Sequence, residues 1–460
     1  MIFFLYSTVA LCGPLSGLAV PSAAGGRATV SEVGLLGFSI NPASVATQST
    51  ELKFDVAAIY YDINYEIAGP EQQILLDRYG ELPEGWDPIA GTLLAKGFAP
   101  NLSLALSVPV NPFSLTVETF LPYGVGGQYP PEGVQRYFST GGMFLFIETD
   151  VGLSAPILLK NSTLQLGAAV RYGRARLRGK ANVDTGMIVY DLTGQSGLIL
   201  DPIMEGTRDV LATGNAFGYT FGFHWIHPRI RLHGSYRSDI DVVATGSFDN
   251  YLSTSLTVAV AGDIELQFQL PKEVYLGVTL PLNKLEIMLE GGWVGWSSYR
   301  YMTGDVTGIE LVSDNDFFQE VLQTYGLTTN DLLTADQKIN IDTGFQNSYF
   351  GSLGANFLLH PKFTLLSRGG YSSPAVPIEY LAPANGDFET FQVDLGGIWS
   401  ATKNLEFTLI GQVMLRPTRE SKASIYAPTK PSESGLASFS GEGIYRQQMY
   451  KVGLTTHAKF

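Results

Sequence analysis

The sequence is poor in charge and lacks long apolar runs. Charged residues make up 16% of the 460 residues, against roughly a quarter in typical soluble proteins. Beyond the first twenty residues, no stretch stays apolar over the about 20 residues that a membrane-spanning helix needs. A helical membrane protein is therefore excluded. Hydrophobic residues reach 45% and aromatic residues 12%, so a disordered chain is excluded as well.

Residue types that carry common chemistry are also scarce. The only cysteine is Cys12 and there are 5 histidines, so we expect no disulfide, thiolate metal site or cysteine nucleophile. No G-x-S-x-G motif, phosphate-binding loop or metal-ligand spacing occurs. We therefore expect no enzyme activity, no cofactor and no metal. A net charge of -14 opposes binding of nucleic acid, which needs a basic surface.

The start of the chain has the character of an export signal. Met1–Leu11 is a short apolar run, and the small residues Ser22, Ala23 and Ala24 suit a cleavage site. We predict a signal peptide over residues 1–24. The alternative is an upstream start codon, with part of this segment kept in the mature protein.

Alternation of apolar and polar residues with a period of two is the main signal along the rest of the chain, and it predicts β-strands. Within 284–301, Leu285, Ile287 and Leu289 alternate with Lys284, Glu286 and Glu290. Further segments with the same pattern are 230–244, 264–270, 391–399 and 405–416. In 230–244 we expect Leu232, Tyr236 and Val242 on one face, and Arg237 and Asp241 on the other.

The connections between these strands alternate in length. Short turns such as 227–228 and 401–403 alternate with long loops such as 247–262 and 303–346. Outer-membrane barrels show this asymmetry, whereas a soluble sandwich has shorter strands on a smaller domain. We predict an all-β fold, a fourteen-stranded antiparallel transmembrane β-barrel. The alternating C-terminal strand that ends at Phe460 resembles the signal read by the barrel-assembly machinery.

Short motifs in a fixed order connect the sequence with a known family. They are Asn41-Pro42-Ala43, Phe98-Ala99-Pro100-Asn101, Leu121-Pro122-Tyr123-Gly124, Gly234-Ser235-Tyr236-Arg237-Ser238-Asp239 and Gly295-Trp296-Ser297-Ser298-Tyr299. In these motifs the sequence resembles the FadL-like outer-membrane transporters of long-chain fatty acids and hydrocarbons (OmpP1/FadL/TodX type).

The resemblance implies a barrel plugged by an N-terminal hatch, in the outer membrane of a Gram-negative bacterium. We assign 1–24 to the signal peptide, 25–50 to the hatch with Asn41, Pro42 and Ala43, and 51–460 to the barrel. The expected partners are a hydrophobic small molecule, outer-membrane lipid and lipopolysaccharide, and the barrel-assembly machinery. We expect a monomer.

The resemblance also implies passive binding of a hydrophobic solute and its lateral release through the wall. Pro122, Tyr123 and Gly124 match the kinked strand at the family's opening, and proline and glycine both weaken a strand ladder. Asn41, Pro42 and Ala43 would lie against that opening. The alternatives are a strand end at Pro122 and a simple turn at Asn41-Pro42.

Basic residues suit a fatty-acid carboxylate, because guanidinium groups bind carboxylates with two hydrogen bonds. The candidates are Arg174, Arg176 and Arg178 on one strand face, and Arg237. Leu166 and Val170 have the parity of the three arginines and should face lipid. Either a bulge near Tyr172 changes the register, or these arginines lie above the bilayer. A further alternative is that each arginine pairs with lumen carboxylates such as Asp239, Asp241, Glu286 and Glu290.

Apolar residues in a long loop offer a first contact for the solute. Phe317, Phe318 and Leu322 should face outside, or they pack the loop against the rim. The expected function is uptake of hydrophobic solutes, with long-chain fatty acids first and aromatic or alkane hydrocarbons as the alternative. The competing functions are a structural barrel, an outer-membrane lipase or protease, and a porin for polar solutes. A porin needs no hatch.

Overall fold

The computed structural model describes residues 34–45, 49–67, 91–131, 136, 139–193, 197–198, 201–329, 331, 337–382, 386–422 and 442–460. The predicted signal peptide over 1–24 lies outside the described residues. Within the described ranges, no helix is long and apolar enough to cross a membrane.

The described part of the chain forms a closed antiparallel barrel of fourteen strands, which confirms the predicted fold class. The strands are β1 (Glu51–Ile67), β2 (Gly91–Val110), β3 (Phe113–Gln128), β4 (Gly141–Leu158), β5 (Thr163–Asp184), β6 (Glu205–His227), β7 (Ile230–Arg237 and Ile240–Ser253), β8 (Val258–Leu270 and Glu273–Leu282), β9 (Leu285–Val294 and Tyr301–Ser313), β10 (Gln337–Asp342 and Ser348–His360), β11 (Phe363–Ser372), β12 (Thr390–Ser400), β13 (Leu405–Leu415 and Arg419–Ser421) and β14 (Gly443–Lys459).

The barrel closes between its first and last strands. β1 pairs with β14 from Glu51 opposite Lys459 to Ile67 opposite Gly443. The long connections include the helices α1 (Thr185–Thr193) and α2 (Asp316–Thr324). Closure removes free strand edges, as a sheet in hydrocarbon requires.

The alternation keeps its period along each long strand, but its polarity inverts part of the way up. On β5, Leu166 and Val170 are exposed on the outer face, and the buried Arg171 points inward. Higher on the same strand, Arg174 and Arg176 occupy the outer face, while Ala175 and Leu177 are buried inside. The lower part therefore has the polarity of a barrel in lipid, and the upper part has that of a barrel in water.

Several strands are interrupted where this inversion occurs. The break in β7 lies at Ser238 and Asp239, between its two segments. It changes the parity, so that Ile240 and Val242 are buried inside while Asp241 is exposed outside. The prediction that Val242 shares a face with Leu232 and Tyr236 is therefore wrong, because one continuous strand was assumed.

One predicted long loop is also wrong. β7 continues to Ser253 and β8 begins at Val258, so the connection predicted over 247–262 is a turn of residues 254–257. The apolar side chains of this region pack inside the barrel wall above the bilayer, which is why the strands extend so far.

We expect the short turns to face the periplasm and α2 to face the outside, as in other outer-membrane barrels. In a Cys12→Ser background, a membrane-impermeant maleimide on intact cells should label Glu320→Cys on α2. It should not label Asn161→Cys in the turn between β4 and β5. Labelling of Asn161→Cys alone would reverse this orientation.

Candidate functional site

The N-terminal segment 34–45 is buried inside the barrel. Pro42–Ser44 forms a short 3-10 turn, and the Asn41 side chain caps it by accepting a hydrogen bond from Ala43 N at 3.0 Å. Asn41 Nδ2 also donates to Phe223 O of β6 at 3.1 Å. One amide side chain therefore both shapes the turn and fixes it to the wall.

Two glycines of the wall make room for this turn. A Cβ atom on Gly167 of β5 would lie 2.3 Å from Ala43 N, and one on Gly222 of β6 would lie 1.9 Å from Asn41 Oδ1. The two glycines are opposite each other in the β5–β6 ladder. Asn41, Pro42 and Ala43 thus lie in a niche of β5 and β6 that any side chain would fill.

A buried charge cluster lies beside the niche, formed by Glu148 and Asp150 (β4), Arg171 (β5), Arg237 (β7) and Glu273 (β8). Arg171 donates two hydrogen bonds to the Glu148 carboxylate, both 2.9 Å long. Arg237 donates to Glu148 Oε1 at 2.6 Å and lies 3.2 Å from Glu273 Oε2.

The charge cluster also holds the N-terminal segment. Arg237 Nη1 donates to Ser39 O, and Arg171 Nη1 donates to Ser238 O at the break in β7 at 2.7 Å. The predicted ligand residue Arg237 thus pairs with buried carboxylates and with the segment. Its carboxylate partners are Glu148, Asp150 and Glu273, and not the carboxylates expected from the sequence.

The three residues predicted at the lateral opening differ in their placement. Tyr123 is buried, and its hydroxyl donates to Glu273 Oε1 across the barrel at 2.8 Å. Its ring centroid lies 6.1 Å from that of Trp296, which enters the interior at the break in β9. Pro122 is buried and Gly124 is half-buried.

The ladder between β2 and β3 ends below these residues. It runs only from Val110 opposite Phe113 to Leu104 opposite Thr119. Above that point β2 pairs with β1 up to Gly91, and β3 pairs with β4 up to Gln128. The β3–β4 register shifts between Phe120 and Tyr123, around Pro122. Residues 91–103 and 120–128 therefore border a gap in the wall.

The upper interior is apolar. Buried side chains from six or more elements meet there, among them Phe144, Phe146, Leu177, Val210, Leu266, Phe268, Trp296 and Phe345. Phe318 and Leu322 of the predicted access loop join this interior and are fully buried, whereas Phe317 is 50% exposed. Phe318 and Leu322 therefore pack the loop against the protein, which was the alternative to facing outside.

The loop between β11 and β12 covers part of the upper interior. Asp387 accepts hydrogen bonds from Val376 N at 3.0 Å and Phe388 N at 2.9 Å, and Arg419 donates to Val376 O at 2.8 Å. Burial raises the pKa of the Asp387 carboxyl above its usual range. This carboxyl fastens the loop, whose residues Val376 and Phe388 are buried.

Arg174, Arg176 and Arg178 do not face the interior. All three are exposed on the outer face of β5, and β5 keeps a continuous register with β4 and β6. The bulge considered near Tyr172 is absent from this described strand. The arginines follow Val170 on the lipid-facing side, so the second alternative, a position above the bilayer, matches the structure.

One polar pair in the apolar interior was missed. Arg208 of β6 lies opposite Asn250 of β7 in the ladder, and both are buried. The Arg208 guanidinium lies over the Phe248 ring, 5.7 Å from its centroid. Among the residues that the structure describes, neither amide atom of Asn250 has a hydrogen-bond partner. The available signal was parity, because Arg208 alternates in phase with the buried Val210 and Ala212.

The sequence matches the model of the family described as outer membrane protein transport protein (OMPP1/FadL/TodX) over residues 15–406. A comparison with curated protein sequences gives no significant match. Among solved structures, a Pseudomonas aeruginosa FadL homologue is similar with a TM-score of 0.71 and 15% identity, covering 97% of this chain and 98% of that one.

Two structures of toluene transporters are also similar. Ralstonia pickettii TbuX has a TM-score of 0.62 and 15% identity, covering 99% of this chain and 100% of that chain. Pseudomonas putida TodX has a TM-score of 0.64 and 13% identity, covering 95% and 98%. At these identities the likeness shows the fold.

We predict that Arg237 is structural. Arg237→Gln removes the cation beside the buried Glu273 carboxylate and one of the two beside Glu148, and it should lower the free energy of unfolding by about 3–5 kcal/mol. Arg300→Gln is the matched control, because the Arg300–Asp342 pair is 44% and 31% exposed and such pairs contribute about 1 kcal/mol or less. Urea unfolding in detergent micelles, followed by tryptophan fluorescence, measures both. Equal losses for the two variants would contradict the prediction.

Proposed function

The chain belongs to the OMPP1/FadL/TodX family of outer membrane transport proteins, and from this premise we propose that it takes up long-chain fatty acids. The family comprises transporters of hydrophobic compounds rather than enzymes, located in the outer membrane of Gram-negative bacteria. The choice of fatty acids, the route and the residues below are the proposal.

The proposed route follows from the cost of moving an apolar solute into water, roughly 25 cal/mol per Å2 of apolar surface. The solute enters the apolar upper interior from outside. It leaves sideways, between β2 and β3, into the outer leaflet. The observation that carries this proposal is the early end of the β2–β3 ladder at Leu104 and Thr119.

The charge cluster supports a sideways exit over an axial one. It lies below the apolar interior, and Tyr123 links the two through its hydrogen bond to Glu273. An apolar solute moving straight down would have to pass buried, paired charges and the segment held by Arg237. We propose that this segment belongs to a hatch over 25–50, that residues 51–460 form the barrel, and that lipopolysaccharide and the barrel-assembly machinery are partners.

Arg208 and Asn250 support an acid headgroup. They provide a guanidinium and an amide beside buried apolar side chains such as Val210 and Phe248. A buried amide without hydrogen bonds is costly unless a ligand supplies partners. A fatty-acid carboxylate would accept hydrogen bonds from both side chains, with its tail among the apolar residues.

A neutral aromatic hydrocarbon is the second candidate. It is supported by the aromatic lining, where the Phe144 and Phe268 rings have centroids 5.9 Å apart and Trp296 packs against Tyr299 and Phe345. Such a solute would need neither Arg208 nor Asn250, so these two residues distinguish the candidates.

The gap can be tested by filling it. Gly124 is on the outer edge of the gap, where a Cβ would lie 2.7 Å from the Leu121 side chain. Gly124→Trp should reduce uptake of a radiolabelled long-chain fatty acid severalfold, because the indole covers the opening. Gly369→Trp is the control, since Gly369 is exposed, open around its Cβ, and paired on both sides by β10 and β12. Normal uptake by a folded Gly124→Trp barrel would exclude the gap as the exit.

Headgroup selection has its own test. Arg208→Gln and Asn250→Leu should weaken fatty-acid binding, because loss of a charge-assisted hydrogen bond costs about 1.5–3 kcal/mol. Binding of a neutral alkane of equal length should change little. Calorimetry on the folded variants in detergent measures both ligands. Equal losses for acid and alkane would favour the neutral-hydrocarbon function.

A further inference from the structure

A basic stripe follows the outer face of β5, formed by Arg174, Arg176, Arg178 and Lys180. Alternate residues of a strand share a face and lie about 7 Å apart. All four side chains are exposed. The stripe is unusual on a chain with a net charge of -14, and the proposed transport route does not use it.

The two upper members of the stripe, Arg178 and Lys180, share one carboxylate of the protein, that of Asp209. Arg178 donates to Asp209 Oδ2 at 2.7 Å and to Oδ1 at 3.2 Å, and Lys180 Nζ lies 3.1 Å from Asp209 Oδ2. Among the described residues, no carboxylate forms an ion pair with Arg174 or Arg176. Arg174 and Arg176, which lie nearest the membrane, are thus the members of the stripe without an ion pair to a described carboxylate.

The height of these two arginines is given by the residues beneath them. Tyr172 precedes Arg174 on the same face, and its ring lies 5.2 Å from that of Phe217, which is 68% exposed. Aromatic rings of this kind mark the interface of the bilayer. The Tyr172 hydroxyl donates to Asn215 Oδ1 at 2.9 Å, and Asn215 is opposite Arg174 in the ladder. Arg174 and Arg176 therefore lie at headgroup level.

A groove of about 950 Å3, lined by both polar and apolar residues, opens on the same outer face, across β6 from the stripe. Thr213, which is opposite Arg176 in the ladder, borders the groove. Its other polar lining residues include Thr245, Ser247 and Asp263. Hydroxyl and carboxylate groups suit the hydroxyls of a sugar.

We propose that Arg174 and Arg176 bind the phosphate of a phosphorylated glycolipid of the outer leaflet, the chemistry that lipopolysaccharide presents, with its sugar over the groove. Guanidinium groups bind phosphate with paired, charge-assisted hydrogen bonds. The contact fixes the height of the barrel in the bilayer on the β5–β6 side. It is independent of the transported solute.

The test uses the full-length barrel in an uncharged detergent, titrated with diphosphoryl lipid A and followed by native mass spectrometry. The double variant Arg174→Gln/Arg176→Gln should bind about thirtyfold more weakly, because each basic residue near a charged lipid surface contributes about 1 kcal/mol and about 1.4 kcal/mol corresponds to tenfold in affinity. Arg178→Gln is the matched control on the same strand face, and it should bind as the wild type does. Both positions are exposed, and heat-modifiable gel mobility verifies folding. If the double variant fails to fold, the single variants Arg174→Gln and Arg176→Gln are compared with Arg178→Gln.

The lipid and its phosphate are tested separately. Dephosphorylated lipid A should bind wild type as weakly as diphosphoryl lipid A binds the double variant. Equal binding of the two lipids by wild type, or an equal loss for Arg178→Gln, would overturn the proposal. Inorganic phosphate binding as tightly as diphosphoryl lipid A would also overturn the lipid assignment.

Discussion

The structure depends on one constraint, that backbone N–H and C=O groups in hydrocarbon must pair within the protein. The ladder between β1 and β14 meets it by closing the sheet. One part of the wall is an exception to this pairing. Between 91–103 of β2 and 120–128 of β3 the ladder is missing, next to a proline that has no N–H to donate. A break of this kind persists in a barrel wall where the surrounding structure compensates for it, and here the buried Tyr123 and its hydrogen bond to Glu273 occupy the inner side.

A second constraint concerns the solvent on each face. In the bilayer the outer face must be apolar, so the polar residues turn inward and form ion pairs such as Arg171–Glu148. Above the bilayer the outer face meets water, and the same alternation places apolar residues inside. The protein thus joins a polar-lined membrane barrel to an apolar-lined extension. The boundary between the two is where strands break, where Trp296 turns inward and where the β2–β3 ladder ends.

The charge cluster lies where the polar-lined membrane barrel meets the apolar-lined extension. Because its carboxylates and guanidinium groups are almost completely buried, each depends on the others for compensation. The cluster joins β4, β5, β7 and β8 to the N-terminal segment through Ser39, and to β3 through Tyr123. The N-terminal segment and the edge of the gap at Tyr123 thus share one hydrogen-bonded cluster.

The sequence by itself determined the fold class. Alternation with a period of two and connections of unequal length are visible in the sequence whether a strand face meets lipid, water or the interior. It also determined the family, through the ordered motifs around Asn41, Pro122 and Arg237. It could not determine which face of a segment is inside. Apolar residues point outward at Val170 and inward at Leu177 on one strand, and only the height of the strand in the membrane decides between them. For that reason Arg174 was a candidate for the lumen, and Arg208, which lies inside, was missed. The partners of Arg237 were beyond the sequence as well, since Glu148 and Glu273 meet it only when the sheet closes and brings distant strands together.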